Sequence, residues 1–197
     1  MSSLVQAEQI WVNLQEIFID KASANYGLSE LNQREHALQA AHLAERAGHT
    51  SALVIAALLH DIGHMIHSLG EHPAAVGIDD RHEDLGANFL AQYFDASVVE
   101  PVRLHVQAKR YLCALDKDYM QRLSSDSKES LVLQGGAMNA AEMEKFLEQP
   151  YARDAIIVRR LDEAAKKPGL DVPSFDHYKA TILSLLTRAS PDCSNRR

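Results

Sequence analysis

Cysteine, proline and long apolar runs are scarce in this chain of 197 residues, and each scarcity excludes a class of protein. Two cysteines, Cys113 and Cys193, can build neither a disulfide framework nor a thiolate metal site, so the expected compartment is a reducing cytoplasm. The longest apolar run has about eight residues, far below the ~20 that a bilayer-spanning helix needs. Residues 1–9 also lack a basic region followed by an apolar segment, and we expect neither an export signal nor a membrane partner.

Basic residues are also fewer than acidic ones: the chain has 20 lysines and arginines and 27 aspartates and glutamates, for a net charge of -7. This balance argues against a nucleic-acid partner and against binding to an anionic membrane surface. A small anionic substrate remains compatible with it, because a local cluster of Lys and Arg can act inside an acidic protein. The composition, 46% hydrophobic and 24% charged, is typical of a soluble globular protein, and the length suits one domain spanning residues 1–197.

Helical periodicity recurs along the chain, whereas strand alternation of useful length does not. The periodic stretches predict helices over residues 4–21, 29–48, 51–61, 81–94, 98–115, 140–147, 152–167 and 175–188. Ser29 and Ser51 are the predicted N-caps of the second and third helices. Loops are expected over residues 24–27 and 65–80 and in the serine- and glycine-rich segment 123–136. The sequence therefore predicts an all-α bundle with a core of about residues 20–188 and a disordered tail at 189–197.

An apolar stretch from Ala52 to Leu59 ends in two adjacent ionisable residues, His60 and Asp61. Burying such a pair costs several kcal/mol unless a partner compensates, and a metal ion is one such partner. The chain has 10 histidines, and further candidate ligands lie on separate predicted helices or helix ends. The full candidate set is His36, His60, Asp61, His82, His105 and Asp162. Four imidazoles and two carboxylates suit two metal ions that share one aspartate, and these nitrogen and oxygen ligands favour iron, manganese or zinc.

Each histidine taken alone is more often a packed core or surface residue than a metal ligand. We adopt that interpretation for five other histidines, namely His42, His49, His67, His72 and His177. Spacing alone leaves a metal site and an inert helical core as open alternatives for the candidate set.

The order of His36, His60–Asp61 and Asp162 resembles the H…HD…D signature of the HD-domain superfamily, whose members are all-helical and metal-dependent, and mostly phosphohydrolases. His82 and His105 look like the two histidines that hold a second metal in its dinuclear members. Further matching positions are Tyr26, Asn32–Gln33, Glu35–His36, Leu58–His64, Arg81–Glu83, Lys109–Leu112, Leu133–Gly136 and Arg159–Asp162. Over about residues 20–188 the chain resembles the small HD-domain oxygenases that cleave the carbon–phosphorus bond of 1-hydroxyphosphonates.

The resemblance implies a mixed-valent centre of two iron ions, Fe(II) and Fe(III). The residues that match the ligands of one iron are His36, His60, Asp61 and Asp162. Asp61 would bridge to a second iron held by His82 and His105. Tyr26 falls where the family has a mobile tyrosine that occupies a coordination position until substrate displaces it, which makes it a catalytic candidate.

Two cationic side chains lie next to the candidate ligands on their helices. Lys109 comes four residues after His105, and Arg159 comes three before Asp162, so each shares a helix face with a ligand. Both could meet a phosphonate dianion beside the metals, where charge-assisted hydrogen bonds are strong. The resemblance adds substrate-binding candidates at Gln33, His64, Ser127 and Ser130, with His64 also a catalytic candidate. Two neighbouring arginines, Arg110 and Arg160, are expected to be solvated surface charges.

Ser29 bears on the head group of the substrate. Family members that act on 2-amino-1-hydroxyethylphosphonate have a glutamate at this position, where it can meet the ammonium group. The smaller, neutral Ser29 leaves room for a trimethylammonium group, which needs a pocket of diffuse negative or aromatic character. The predicted reaction therefore uses O2 to convert (R)-1-hydroxy-2-(trimethylammonio)ethylphosphonate into glycine betaine and phosphate.

Three alternatives remain open at the level of the sequence. The chain could instead act on 2-amino-1-hydroxyethylphosphonate and yield glycine, or it could be an HD-type phosphohydrolase that uses a metal-bound water. It could also be a metal-stabilised helical module without catalysis, although such a module has no need for the cations Lys109 and Arg159 beside the ligands. Consumption of O2 with a phosphonate substrate separates the oxygenase from the hydrolase.

Overall fold

The structure, a computed structural model, describes residues 3–21, 31–66 and 77–187 of the chain. Four predictions lie outside these ranges: the loop at 24–27 with Tyr26, the substrate-binding candidate Ser29, most of the connection 65–80, and the tail 189–197. Within the described ranges the regular structure is helical, and the predicted all-α fold is confirmed.

Eleven α-helices follow one another in the described residues. They are α1 (Ser3–Glu16), α2 (Gln33–Arg46), α3 (Ser51–Leu59), α4 (Ile62–Ile66), α5 (His82–Leu90), α6 (Ala96–Leu115), α7 (Lys117–Arg122), α8 (Ser125–Leu133), α9 (Ala140–Leu147), α10 (Ala152–Ala164) and α11 (Lys179–Leu185). A π-helical turn, Ile17–Lys21, continues α1, and a 3-10 turn, Phe175–Tyr178, leads into α11. None of the described helices combines the length and the apolar character that crossing a bilayer requires.

The N-caps of α2 and α3 differ from the predicted ones. Asn32, not Ser29, caps α2, because its side chain accepts the backbone N–H of Glu35 at 2.8 Å while Glu35 reaches back to the N–H of Asn32. Thr50, not Ser51, caps α3 by accepting the N–H of Leu53 at 3.3 Å. Both predicted caps were therefore wrong, and α2 begins later than expected.

The serine-rich segment 123–136 was predicted as turns and instead contains a helix, α8. Its serines are compatible with a helix because Ser124 is the N-cap, where its hydroxyl accepts the N–H of Ser127 at 3.3 Å. The short helix α7, capped by Asp116, was also missed, and α4 occupies the start of the predicted connection. Serine is disfavoured inside helices but favoured at their caps. The number of serines alone therefore led to the wrong prediction of turns over residues 123–136.

The apolar helix α3 lies at the centre of the main core. Its residues from Leu53 to Leu59 are all buried, as expected for a helix that is hydrophobic on every side. The long helix α6 packs against α3, α5 and α10 and joins this core to a second one. Because α3 ends inside the bundle, the chain carries His60 and Asp61 directly into the interior.

Two glycines allow α4 and α5 to approach closely. A Cβ atom on Gly63 would fall far inside van der Waals contact with the carbonyl oxygen of His82, and one on Gly86 would lie 3.2 Å from the backbone nitrogen of Gly63. This close approach brings the start of α5, and with it His82, beside the end of α3.

Gly63→Ala is expected to lower the free energy of unfolding by about 1–3 kcal/mol, because the added methyl group must push α5 away from α4. Gly86→Ala should cost less, since its nearest contacts need to move only slightly. Urea unfolding of the metal-free protein measures both. Equal midpoints for wild type and Gly63→Ala would contradict the packing described for these helices.

Candidate metal centre and anion pocket

Four histidines from four helices or helix ends meet in the interior as two facing pairs. His36 of α2 and His60 after α3 have their Nε2 atoms 3.2 Å apart. His82 of α5 and His105 of α6 have theirs 3.1 Å apart. All four side chains are buried, and the rings of His60 and His105 meet edge to face, with centroids 5.5 Å apart. The structure therefore brings together histidines that are far apart in the sequence.

The other ring nitrogen of each histidine is held by an acceptor. Nδ1 of His36 donates to the carbonyl oxygen of Ala165 at 2.9 Å. Nδ1 of His60 donates to that of Ala57 at 2.8 Å, and Nδ1 of His105 donates to that of Val102 at 2.7 Å. A carbonyl oxygen can only accept, so Nδ1 carries the proton and the Nε2 atom of a neutral ring presents a lone pair. Nδ1 of His82 is held in the same way by a carboxylate, Asp80, at 2.9 Å.

The Asp61 carboxylate lies between the two histidine pairs. Its Oδ2 is 3.6 Å from Nε2 of His36 and 3.3 Å from Nε2 of His60. Its Oδ1 is 3.6 Å from Nε2 of both His82 and His105. One oxygen thus faces each pair, which is the arrangement that a carboxylate bridging two cations requires.

Asp162 completes the first pair from α10. Its Oδ1 lies 3.4 Å from Nε2 of His36, and its Oδ2 lies 4.0 Å from Nε2 of His60. His36, His60 and Asp61 form a set whose ligand atoms lie within 4.8 Å of one another. The six candidate ligands therefore converge on one buried centre.

The donor set fits two cations. Lone pairs of buried imidazoles and carboxylates face one another here, and such acceptors repel unless positive charge lies among them. Although burial opposes it, the carboxylates of Asp61 and Asp162 raise the pKa of His60 to about 9, so in the absence of metal a proton is drawn to this position. His60 in turn holds the pKa of Asp61 well below its usual range. Arg159 does the same to the pKa of Asp162. A metal ion supplies the same positive charge and releases the proton when it binds.

His64 lies beside the second pair rather than within it. Its ring stacks on the ring of His82, with centroids 3.8 Å apart, and its Nδ1 is 2.7 Å from Oδ2 of Asp80. Its Nε2 is 4.0 Å from Oδ1 of Asp61, and a quarter of the side chain is exposed. Asp80, which binds both rings, was missed at the level of the sequence, where it was read only as part of a polar connection. A carboxylate two residues before a histidine ligand is the signal that could have found it.

Two predicted cations, Lys109 and Arg159, lie near Asp162 and are almost fully buried. Arg159 forms an ion pair with Asp162, and its guanidinium also donates to the hydroxyl of Ser127 at 3.3 Å. Lys109 donates to the hydroxyl of Ser130 at 2.9 Å. Burial and the nearby Arg159 lower the pKa of Lys109 to about 7. Arg159 also pairs with Glu163 at 2.8 Å. Cations beside hydroxyl groups are suited to bind a small anion.

Lys166 adds a third cation that the sequence analysis did not single out. Its Nζ donates to the hydroxyls of Ser124 at 3.3 Å and Ser127 at 3.4 Å, and it lies 3.9 Å from Oδ1 of Asp162. Its position four residues after Asp162 was the available signal. We use the name anion pocket for Lys109, Arg159, Lys166, Ser124, Ser127 and Ser130.

The remaining predicted positions have mixed outcomes. Gln33 lies in the first turn of α2, three residues before His36, and its buried Oε1 has no hydrogen-bond partner among the described residues. Arg110 is not a solvated charge, because it donates to the carbonyl oxygen of Gly136 at 2.9 Å and pairs with Glu142 at 2.8 Å, so that prediction was wrong. Arg160 is exposed as expected. Tyr26 and Ser29 lie outside the described ranges.

Comparisons with known proteins match this chain to one domain family and to three relatives. The sequence pattern of the HD domain matches residues 34–165. Hydroxymethylphosphonate dioxygenase of Gimesia maris is 43% identical over 177 residues, which cover 88% of this chain and 87% of that protein. The glycine-betaine-forming [1-hydroxy-2-(trimethylamino)ethyl]phosphonate dioxygenase of Leisingera caerulea is 38% identical over 172 residues, covering 87% of this chain and 88% of that protein. An uncharacterized protein of Acanthamoeba polyphaga mimivirus is 29% identical over 193 residues, or 96% of this chain and 86% of its own.

His105→Ala is expected to reduce the metal content from two ions per chain to one, since it removes a nitrogen ligand from the second pair and leaves the first intact. Metal analysis after loading with Fe(II) without oxygen measures the ratio. His177→Ala, which removes a surface histidine paired with Glu45, is the matched control and should keep both ions. Two tightly bound ions in His105→Ala would contradict the dinuclear centre.

Binding of sulfate, whose charge is constant near neutral pH, should weaken as the pH rises through about 7, because Lys109 is a cation only below its pKa. The expected loss is about tenfold, the value of one charge-assisted hydrogen bond. Isothermal titration of the metal-free protein across this range measures it. Lys109→Arg, which keeps its charge, should bind sulfate with little pH dependence; the same pH dependence in both proteins would show that another group titrates.

Proposed function

We propose, from the premise that this chain belongs to the HD-domain family, that it is a cytoplasmic di-iron dioxygenase that cleaves the carbon–phosphorus bond of a 1-hydroxyphosphonate. The observation that carries the proposal is the position of the anion pocket directly beside two facing histidine pairs. Arg159 and Lys166 of the pocket both approach Asp162, which in turn approaches His36. An anion bound there has its neighbouring carbon next to the metal ligands.

The family and the enzyme class have direct support. The HD-domain match and the two phosphonate dioxygenases among the relatives confirm the resemblance inferred from the sequence, and with it the class of oxidoreductases. The metal identity is our proposal. His36, His60, Asp61 and Asp162 would hold one iron, and Asp61, His82 and His105 would hold the second. A mixed-valent iron pair supplies, when bound, the electron transfer with O2 that side chains cannot perform.

The anion pocket binds and orients the phosphonate. Lys109 and Arg159 neutralise its charge in a buried setting, where hydrogen bonds between charged groups are strong. Ser127 and Ser130, which already contact these cations, direct their hydroxyl groups to the remaining phosphonate oxygens. Lys166 borders the pocket through Ser127 and keeps the phosphonate from turning away. This anchoring fixes the carbon–phosphorus bond relative to the ligands.

His64 is placed to move the proton of the substrate hydroxyl. Burial and the neighbouring His82 lower the pKa of His64, so that its ring is neutral near pH 7. With its Nδ1 proton directed to Asp80, its Nε2 acts as the acceptor on the side of Asp61. A substrate hydroxyl between His64 and the bridging carboxylate can therefore give its proton to Nε2.

The overall reaction balances with one molecule of O2. The bonds that break are the carbon–phosphorus bond, the C1–H bond, the O–H bond of the C1 hydroxyl and the O–O bond. Of the two hydrogens set free, one remains on the phosphate. One oxygen atom joins C1 to give a carboxylate, the other joins phosphorus to give phosphate, and one proton is released to solvent. Carbon is oxidised and O2 is reduced, so no other reductant is consumed in the net reaction.

For the head group we propose a trimethylammonium, as in (R)-1-hydroxy-2-(trimethylammonio)ethylphosphonate, with glycine betaine as the second product. The neutral Ser29 offers no carboxylate to a primary ammonium, and the relative from Leisingera caerulea supports this substrate by its name. Hydroxymethylphosphonate is the second candidate. It carries no ammonium group at all, so Ser29 suits it equally, and the Gimesia maris relative supports it. Tyr26 is proposed to leave a coordination position when either substrate binds.

Iron-loaded protein given O2 should convert the trimethylammonium substrate with a kcat/KM at least about tenfold above that for 2-amino-1-hydroxyethylphosphonate, because Ser29 cannot pair with the primary ammonium. An oxygen electrode and a phosphate assay, with hydroxymethylphosphonate run in parallel, measure this. Ser29→Glu should shift the preference toward the primary amine.

Arg160→Gln, a change at an exposed arginine next to Arg159, is the control and should leave turnover unchanged. Preference of the wild-type protein for the primary amine would reverse the assignment of the head group, and fastest turnover of hydroxymethylphosphonate would select the second candidate. Phosphate release from phosphoesters without O2, and none from any of the three phosphonates, would identify a phosphohydrolase instead.

A further inference from the structure

Asp80 binds two histidines of the centre with one carboxylate. Its Oδ1 lies 2.9 Å from Nδ1 of His82, and its Oδ2 lies 2.7 Å from Nδ1 of His64. Oδ1 also accepts the backbone N–H of His82 at 3.3 Å. The carboxylate is itself nearly buried, with 7% of the side chain exposed. No other acidic side chain in the described part of the chain contacts both rings at hydrogen-bond distance.

The backbone is arranged to make this contact. Arg81, between Asp80 and His82, has φ 47° and ψ 41°, the left-handed conformation that costs a residue with a side chain about 1–2 kcal/mol. The turn places the two flanking side chains on the same side of the chain, facing inward, while Arg81 itself is exposed. Strained residues of this kind concentrate at functional sites, where the surrounding structure holds them.

The contact determines which nitrogen of each ring carries the proton. A carboxylate has no proton to donate, so the Nδ1 atoms at 2.9 Å and 2.7 Å from its oxygens carry their own protons. Both Nε2 atoms are then left as acceptors on the side of Asp61. For His82 this is the form that can bind a metal, and for His64 it is the form that can accept a proton. The two rings are also stacked, with an interplanar angle of 20°, so that a change in one displaces the other.

We infer that Asp80 is a positioning residue that orients His82 as a ligand of the second metal and His64 as the proton acceptor at the same time. The inference rests on the proposed metal centre. Glu83, the other acidic side chain near His82, lies 3.7 Å from its Nδ1 and does not reach hydrogen-bond distance. Asp79 contacts the backbone N–H of Arg81, at 3.4 Å. The role therefore falls to Asp80 and not to its acidic neighbours.

Asp80→Asn tests the inference, because an amide keeps the size of the side chain, removes the negative charge that faces both rings and can accept a proton from only one of them. We expect the affinity for the second equivalent of Fe(II) to fall about 10- to 100-fold while the first equivalent binds as in wild type. Anaerobic titration followed by metal analysis measures both. After partial oxidation of the loaded protein, the electron paramagnetic resonance signal of the coupled Fe(II)/Fe(III) pair should shrink in proportion. Asp79→Asn makes the same change of charge one residue away and should alter neither quantity.

A second measurement needs no variant. In the zinc-loaded wild-type protein, the nitrogen-15 shifts of the imidazole rings should show a proton on Nδ1 of both His64 and His82. A proton on Nε2 of either ring would overturn the inference. This result does not depend on whether Asp80→Asn folds. Unchanged affinity for the second Fe(II) in folded Asp80→Asn would overturn it as well. Both measurements are made without substrate, so a wild-type protein that binds two irons and leaves phosphonates unchanged would refute the proposed function alone.

Discussion

The mutual repulsion of buried acceptors around Asp61 is the constraint on which the rest of this structure depends. Two pairs of imidazole nitrogens and two carboxylates face inward at 3.1–4.0 Å, and no arrangement of neutral side chains satisfies them together. Their positions are nevertheless fixed, by backbone carbonyls behind three of the rings and by Asp80 behind the fourth. The fold thus buries a group of acceptors that positive charge would stabilise.

The positions of the ligands could be predicted because each is tied to a local pattern. His60 and Asp61 follow a wholly apolar helix, and the other ligands lie at inward-facing positions of helices that the sequence marks clearly. The family resemblance then selected these histidines from ten. The structure places the six side chains together, as the prediction required.

What could not be predicted depends on contacts between distant segments. Asp80 and Lys166 lie near a ligand in the sequence, but their contacts with the ring of His64 and the hydroxyl of Ser127 come from distant segments. Arg110 was read as a surface charge because its partners, Gly136 and Glu142, come from a later part of the chain. The error over α8 was of another kind, since serine has opposite preferences at a helix cap and inside a helix, and composition does not separate the two.

The hydrogen bond from His36 to Ala165 joins one of the earliest ligands to a residue just beyond α10. Gln39, one turn later on α2, is held by the backbone of Lys167 in the same way. During synthesis the ribosome therefore releases most of the chain before the first histidine pair acquires its final geometry. An ion that needs this geometry would therefore bind only after residues 165–167 have been made and packed against α2.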